Sequence, residues 1–221
     1  MIRFAVMDIM HQFNLNFLVA GVGFHRGTDA AYDEVCFAGE RDILQSLSPR
    51  KKTEWLASRE LLFRLGKFPE RIECMYDDFG KPYLKGSAKH ISVSHSGHWA
   101  AAMISEKPCG IDVQEYSPTI ERIQSKFLDR GEMERTDMLP NSYHHLHLLW
   151  GAKECMYKAY GKRKLEFRQH IAVTHLDVAK CRGNGLISYE GLHLPYEIHF
   201  RILPEAALVF CVQLSDHSFT E

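Results

Sequence analysis

Apolar positions along this 221-residue chain change period several times, and each change marks an element. From Ser48-Pro49 onward, Trp55, Leu62 and Leu65 recur at helical spacing as far as Gly66. Serine is a good N-cap, proline suits the first helical position, and glycine can end the run, so this is the first predicted helix. Its other face carries Arg50, Lys51, Lys52 and Arg59, a basic stripe of the kind that ordinarily faces water. Asp78-Phe79-Gly80-Lys81-Pro82 reads as a turn. His90 to Ser94 then alternates like a strand, Trp99 to Ile104 predicts a second, and Gly110 to Val113 a third.

Ser117-Pro118 repeats the helix-start signal before Ile120, Ile123 and Phe127. A long helix is expected over residues 143–160, with Leu146, Leu149, Trp150 and Tyr157 on its apolar side and Gly161 as its stop. Near the end, Leu192, Leu194, Tyr196, Ile198, Phe200 and Ile202 alternate with polar residues and Pro195, the period of a half-buried strand. Residues 207–214 return as its partner. Hairpin-linked strands beside segregated helices predict an α+β fold with antiparallel sheets. A boundary near residue 110 divides the chain into two halves of similar size and content, 1–110 and 111–221.

Composition adds little to this picture. Hydrophobic residues make up 45% and charged residues 25%, ordinary usage for a packed domain. The net charge of -1 steers no partner, so any attraction for an anion must be local. No apolar run reaches membrane-spanning length, and the opening residues lack the basic leader and cleavage site of a signal peptide. Six scattered cysteines without a CxxC pair (Cys36, Cys74, Cys109, Cys155, Cys181 and Cys211) fit buried small hydrophobes in a reduced, cytoplasmic chain. His144, His145 and His147 are too close in sequence to converge on one ion from a helix.

Three stretches carry candidate chemistry. In Gly110-Ile111-Asp112-Val113-Gln114, strand alternation sets Asp112 and Gln114 on one face, an oxygen pair suited to a hard cation; the plainer reading of Asp112 is a turn cap. In Trp150-Gly151-Ala152-Lys153-Glu154-Cys155-Met156-Tyr157-Lys158, Glu154 and Lys158 share a helix face. Together they form either an exposed pair worth about 0.3–0.5 kcal/mol or a metal-binding carboxylate beside a phosphate-binding ammonium. In Ser92-Val93-Ser94-His95-Ser96-Gly97, histidine and serines at a strand end suit a phosphate. A Ser/His hydrolase is disfavoured, because Ser94 and His95 are adjacent on a strand and no GxSxG elbow is present.

Taken with Phe79-Gly80-Lys81-Pro82 and with Gly161, these stretches resemble, in order and spacing over residues 45–165, the Sfp-type phosphopantetheinyl transferases. The resemblance implies a pseudo-dimer of two similar α+β halves, each a small antiparallel sheet packed on helices, with coenzyme A in the cleft between them. It implies transfer of the 4'-phosphopantetheine group to a serine of an apo acyl or peptidyl carrier protein of fatty-acid, polyketide or nonribosomal-peptide synthesis. The other product is 3',5'-ADP. Mg²⁺ is then expected on Asp112 and Glu154, and Lys158 on the reacting phosphate. Ser94 and His95 are expected at the coenzyme A phosphates, with Lys81 and Arg59 toward the nucleotide. The general base is Glu154 or a water on the metal. Gln114 stands where many members have Glu, so it is either a neutral oxygen ligand or is replaced by water.

A cytoplasmic monomer acting on neither nucleic acid nor membrane is expected. Two alternatives remain at this level. A metal-dependent nuclease would more usually set its Glu and Lys two apart on a strand and would need basic residues along a backbone track. A catalytically silent, carrier-binding relative has only Gln114 in its favour.

Overall fold

The computed structural model describes residues 7–15, 18–25, 37–137, 142–162 and 164–215; Cys36 and the first six residues lie outside them. Eleven strands and six helices are assigned among the described residues. The first sheet holds β1 (Met7–Leu15), β2 (Leu18–His25), β3 (Cys74–Tyr76), β4 (Pro82–Leu84), β5 (His90–Ser96) and β6 (Trp99–Ser105), in the order β1-β2-β6-β5-β4-β3. The second holds β7 (Cys109–Glu115), β8 (Ile171–Asp177), β9 (Arg182–Tyr189), β10 (Leu192–Ile202) and β11 (Ala206–Gln213), in the order β7-β11-β10-β9-β8. Every pairing in both sheets is antiparallel. The helices are α1 (Ala38–Ser46), α2 (Pro49–Gly66), α3 (Thr119–Phe127), α4 (Arg130–Asp137), α5 (Ser142–Tyr160) and α6 (Phe167–His170). The fold is therefore α+β, as the sequence predicts.

Four layers follow from where the apolar side chains lie. On α2, Leu61, Leu62 and Leu65 pack on one face of the first sheet through Ala100, Ala102 and Ile104. The other face, with Ala20, Val22, Ala101 and Met103, meets Ile111, Val113, Leu208 and Phe210 of the second sheet. On the far side of that sheet, Leu148, Ala152, Cys155 and Met156 of α5 pack on Ile198, Phe200 and Val209, flanked by Ile120 and Phe127 of α3. The sheets are thus sandwiched between helices, and central strands are buried on both faces. This corrects the half-buried reading of β10. Its middle positions Tyr196, Ile198 and His199 are all buried, while Leu192 and Ile202 at its ends are exposed.

Close approach of α5 to β7 decides the site geometry. A Cβ at Gly110 would overlap the main-chain carbonyl of Cys155, and one at Gly151 would lie 2.7 Å from Val209 Cγ2. Only glycine lets β7, β11 and α5 come this near. Gly110→Ala is expected to force the helix off the strand at a cost of about 1–3 kcal/mol, the usual range for overpacking a dense core. Thermal unfolding measures it; an unchanged midpoint would show that the helix can yield without loss.

Candidate functional site

The site lies where β5 of the first sheet meets β7, the edge strand of the second. Ser92, Ser94 and Ser96, alternate side chains of β5, turn toward β7. Ser92 Oγ accepts the Ile111 N–H at 3.0 Å, and Ser96 Oγ accepts the Glu115 N–H at 3.0 Å. Between them, Ser94 Oγ donates to Asp112 Oδ1 at 2.8 Å. The hydroxyls stand where a neighbouring strand's carbonyls would, so the edge of β7 is satisfied without continuing the sheet.

β7 runs from Cys109 to Glu115 without a register shift. Asp112 and Gln114 therefore share the face that Gly110 presents to α5. Lys158 reaches across from α5. Its Nζ donates to Asp112 Oδ1 at 2.7 Å, to the Ile111 carbonyl at 3.0 Å and to Ser94 Oγ at 3.1 Å. Burial alone would lower the Lys158 pKa, but Asp112, Cys155 and Glu154 together outweigh it and hold the ammonium above its ordinary value. One turn earlier, Glu154 is pushed up from 4.5 to about 7, by burial first and by the charge of Asp112 second, with Lys158 pulling the other way. The plain alternative for Glu154 and Lys158, an exposed pair on a helix surface, does not describe this arrangement, because Lys158 is committed to Asp112 across two elements.

These residues fit a hard divalent cation. The charge of Asp112 helps to raise the cost of ionising Glu154, and Gln114 Oε1 is buried without a hydrogen-bond partner among the described residues. Two carboxylates and an amide oxygen are the all-oxygen donors such an ion takes.

A cavity of 230 Å³ opens beside this cluster, lined by Tyr76, Phe79, Lys81, Tyr157, Lys158 and Lys162 among others. It lies between the β3–β5 region of the first sheet and the C-terminal end of α5. Its makeup, three lysines among aromatic rings, suits a phosphorylated ligand with a flat base. Asp77 shapes the rim, accepting the N–H groups of Phe79 and Lys81, both at 2.9 Å. Lys81 Nζ donates to the Ala159 carbonyl at 2.6 Å, a cation at a helix C-terminus, and burial holds its pKa below the ordinary value.

The other expected residues divide. Ser94 is buried, and its hydroxyl is engaged by Asp112 and Lys158. His95 points to the opposite face of β5, toward α2, where Nδ1 lies 3.3 Å from Glu54 Oε2. Arg59 is not part of a solvated stripe. It is 5% exposed, stacks 4.2 Å from the Trp55 ring, and donates to the Tyr76 hydroxyl at 2.9 Å. The reason is that the middle of α2 is covered on every side: residues 54–62 are all buried, Arg59 together with Glu54, Ser58 and Glu60. Arg59 therefore meets the cavity only through Tyr76.

Sequence reasoning passed over Lys153 and Lys162. Lys153 is buried, and burial lowers its pKa against the pull of Glu132. The histidines diverge: His147 accepts the Ser117 N–H through Nε2 at 3.0 Å and places Nδ1 3.0 Å from the Tyr143 carbonyl, whereas His144 packs on Tyr116.

Residues 108–213, the second sheet with α3 to α6, match the family model of the 4'-phosphopantetheinyl transferase superfamily. The same name is carried by several similar proteins. The chain is 29% identical over 91 residues to the 4'-phosphopantetheinyl transferase ffp of Bacillus subtilis, covering 38% of this chain and 39% of that protein. To psf-1 of Bacillus pumilus it is 30% identical over 108 residues, covering 47% and 46%. To gsp of Aneurinibacillus migulanus it is 29% identical over 110 residues, covering 48% and 46%. The matched stretch spans less than half the length of each of these relatives. The match to the 4'-phosphopantetheinyl transferase superfamily thus falls on the half of the chain that carries β7 and α5, the elements joined through Asp112 and Lys158.

Proposed function

We propose that this protein transfers the 4'-phosphopantetheine group of coenzyme A to a serine of an apo carrier protein, with Mg²⁺, and releases 3',5'-ADP. Coenzyme A would lie in the cleft between an N-terminal half, residues 1–110, and a C-terminal half, residues 111–221. The observation that carries this reading is the junction of Lys158, Asp112 and Glu154 at the wall of a lysine-lined cavity. Breaking a pyrophosphate requires its growing charge to be neutralised and its attacker to be held in line.

Asp112, Glu154 and the neutral Gln114 would hold the Mg²⁺, which when bound offsets charge on the pyrophosphate. Lys158 exchanges part of its hold on Asp112 for the reacting phosphate. Ser94 keeps Asp112 oriented while that exchange occurs. Lys81 and Lys162 receive the remaining phosphates, and Tyr76 and Phe79 offer flat surfaces to the base. Glu154, or a water held by the metal, would take the proton of the carrier serine. Incubation with coenzyme A, Mg²⁺ and a panel of apo carrier proteins, followed by intact mass, tests the proposal. A carrier that gains the phosphopantetheine mass supports it; a panel wholly unmodified at high protein concentration contradicts it.

Two expectations concern the metal. Gln114→Glu should lower the Mg²⁺ concentration that gives half-maximal transfer, since a carboxylate adds full charge at close range. It should leave coenzyme A affinity without metal little changed. If the half-maximal concentration does not move, Gln114 is not a ligand.

The second expectation is set by Glu154. Its folded value of about 7 lies above the ordinary 4.5, so without metal, folding favours the protonated form and stability falls as pH rises through that window. A cation needs the ionised form, so Mg²⁺ should raise the melting temperature more at about pH 8 than at about pH 5.5. Equal shifts at both pH values would remove Glu154 from the metal site.

A further inference from the structure

A second cavity, of 350 Å³, lies away from the cluster at Lys158, and the reaction proposed above does not use it. It opens between α4, the first half of α5 and β8, lined by Arg135, His145, Leu149, Val173, His175 and Leu176 among others. It shares no lining residue with the cavity beside Lys158. His145 lines one and Tyr157 the other, and their separation on α5 is about 18 Å along the helix axis. Its volume falls in the range of small-molecule pockets, which begins at about 300 Å³.

Two local features build it. β8 is an edge strand of the second sheet, and its register slips between Val173 and His175. The bulge breaks the alternation of burial, so Thr174 and His175 are both exposed at the rim. On α5, His145, Leu149 and Lys153 follow at four-residue spacing and share one face. Buried Leu149 and Val173, with half-buried Leu176, make an apolar floor. Exposed Arg135 and His175 and half-buried His145 stand at the mouth.

The charge at the mouth is positive and unanswered. Glu132 also lines the cavity, but its carboxylate is taken: Oε1 accepts the Val173 N–H, and Oε2 accepts from Lys153 Nζ and the Asp129 N–H. The Thr136 and Thr174 hydroxyls donate to the Glu132 and Asn184 carbonyls. Arg130 and Glu134 pair with each other, and among the described residues Arg135 forms no ion pair. Burial lowers the pKa of Lys153, and the charge of Arg135 adds to that lowering, so the two cations stand close enough to repel. An anion held by Arg135 would relieve that repulsion.

We propose that this cavity is a second ligand site, for a small carboxylate with a short apolar tail. The carboxylate pairs with the Arg135 guanidinium, His145 and His175 add donors, and the tail lies on Leu149, Val173 and Leu176. A guanidinium suits this ligand because its planar fork of N–H groups matches a carboxylate's two oxygens. The tail gains by leaving water for an apolar floor. An anion without a tail forfeits the floor, and a tail without a charge forfeits Arg135, so the site selects for both.

The test is titration of the full chain, with its leucine and valine methyl groups labelled, by sodium hexanoate, hexanamide and sodium acetate, followed by methyl NMR. Hexanoate should shift the methyl signals of Leu149, Val173 and Leu176 with a Kd on the order of 1 mM, as befits so small a ligand. Hexanamide and acetate should each bind about tenfold more weakly or worse, since each lacks one of the two contacts. Arg135→Ala and Arg135→Gln should weaken hexanoate about tenfold and leave hexanamide unchanged. Thr174→Trp, which places a large ring at the rim, should abolish the shifts; should it fail to fold, the two Arg135 variants carry the comparison. Saturating coenzyme A should not displace hexanoate, because the two cavities are separate. The proposal is independent of the transferase reading, and a chain that binds no coenzyme A could still satisfy it. Unmoved methyl signals far above the expected Kd, equal affinity for hexanoate and hexanamide, or undiminished hexanoate binding in both Arg135 variants would each overturn it. So would displacement by coenzyme A, which would place hexanoate in the other cavity.

Discussion

Lys158→Ala lowers phosphopantetheine transfer by about a hundredfold or more, the usual loss when one charged donor to a reacting group is removed. The expectation comes from where the ammonium sits. It joins Asp112, Ser94 and the Ile111 carbonyl in one cluster, so its loss removes a phosphate donor and also releases the carboxylate that would hold the metal. An ordinary i,i+4 ion pair with Glu154 would contribute only about 0.3–0.5 kcal/mol and leave the rate untouched. Single-turnover kinetics with saturating coenzyme A separate the two. A variant with normal turnover and a slightly lower melting temperature would return Lys158 to a surface role.

Lys153→Met costs about 3–5 kcal/mol of stability, the range for breaking a buried ion pair by removing one partner. Lys153 and Glu132 are 0% and 1% exposed, with Nζ and Oε2 2.7 Å apart. The ammonium's other donors go to the Ile171 carbonyl at 2.6 Å and the Phe167 carbonyl at 3.2 Å. Glu132 in turn accepts the N–H groups of Asp129 and Val173. One pair therefore ties α4, α5, α6 and β8 together, one residue before Glu154. Removing both charges with Lys153→Met and Glu132→Leu should not restore stability here, since the two backbone N–H groups would lose their acceptor. Denaturant unfolding of the three variants measures this. A single-variant loss below about 1 kcal/mol would mean that water or a rearranged carboxyl replaces the lysine.

How far these features were legible follows from the physics of each element. α2 and α5 announced themselves through caps, apolar spacing and a terminal glycine, and their ends lie at Pro49 and Gly66 and at Ser142 and Tyr160. The alternating strand β10 was found with its bounds, Leu192–Ile202. β1 and β2 were passed over, because a glycine-bearing strand such as Leu-Val-Ala-Gly-Val-Gly-Phe-His shows no clean alternation. The three-residue strands β3 and β4 are too short for a period to register.

At the site, sequence pattern placed Asp112 with Gln114 and Glu154 with Lys158, since strand and helix periods are local. The contact between those pairs is not local. It depends on Gly110 admitting the Cys155 carbonyl, a feature that a glycine in a strand hints at but does not specify. Arg59 misled for a related reason: its helical phase matched exposed lysines, yet α2 is covered on that side too. Glu54 and Lys153 gave no signal, because a buried charge is recognisable only once its partner on another element is seen.

The central claim is that Asp112 and Glu154 hold the metal for transfer from coenzyme A to a carrier serine. The measurement that tests it most directly is the initial rate of phosphopantetheine arrival on an apo carrier, followed by intact mass at limiting Mg²⁺. Wild type, Asp112→Asn and Glu154→Gln would be run side by side, each first shown to be folded by circular dichroism. The account predicts rapid modification by wild type and a strongly reduced rate for both variants. Near-normal transfer by either variant at the same Mg²⁺ concentration would contradict it.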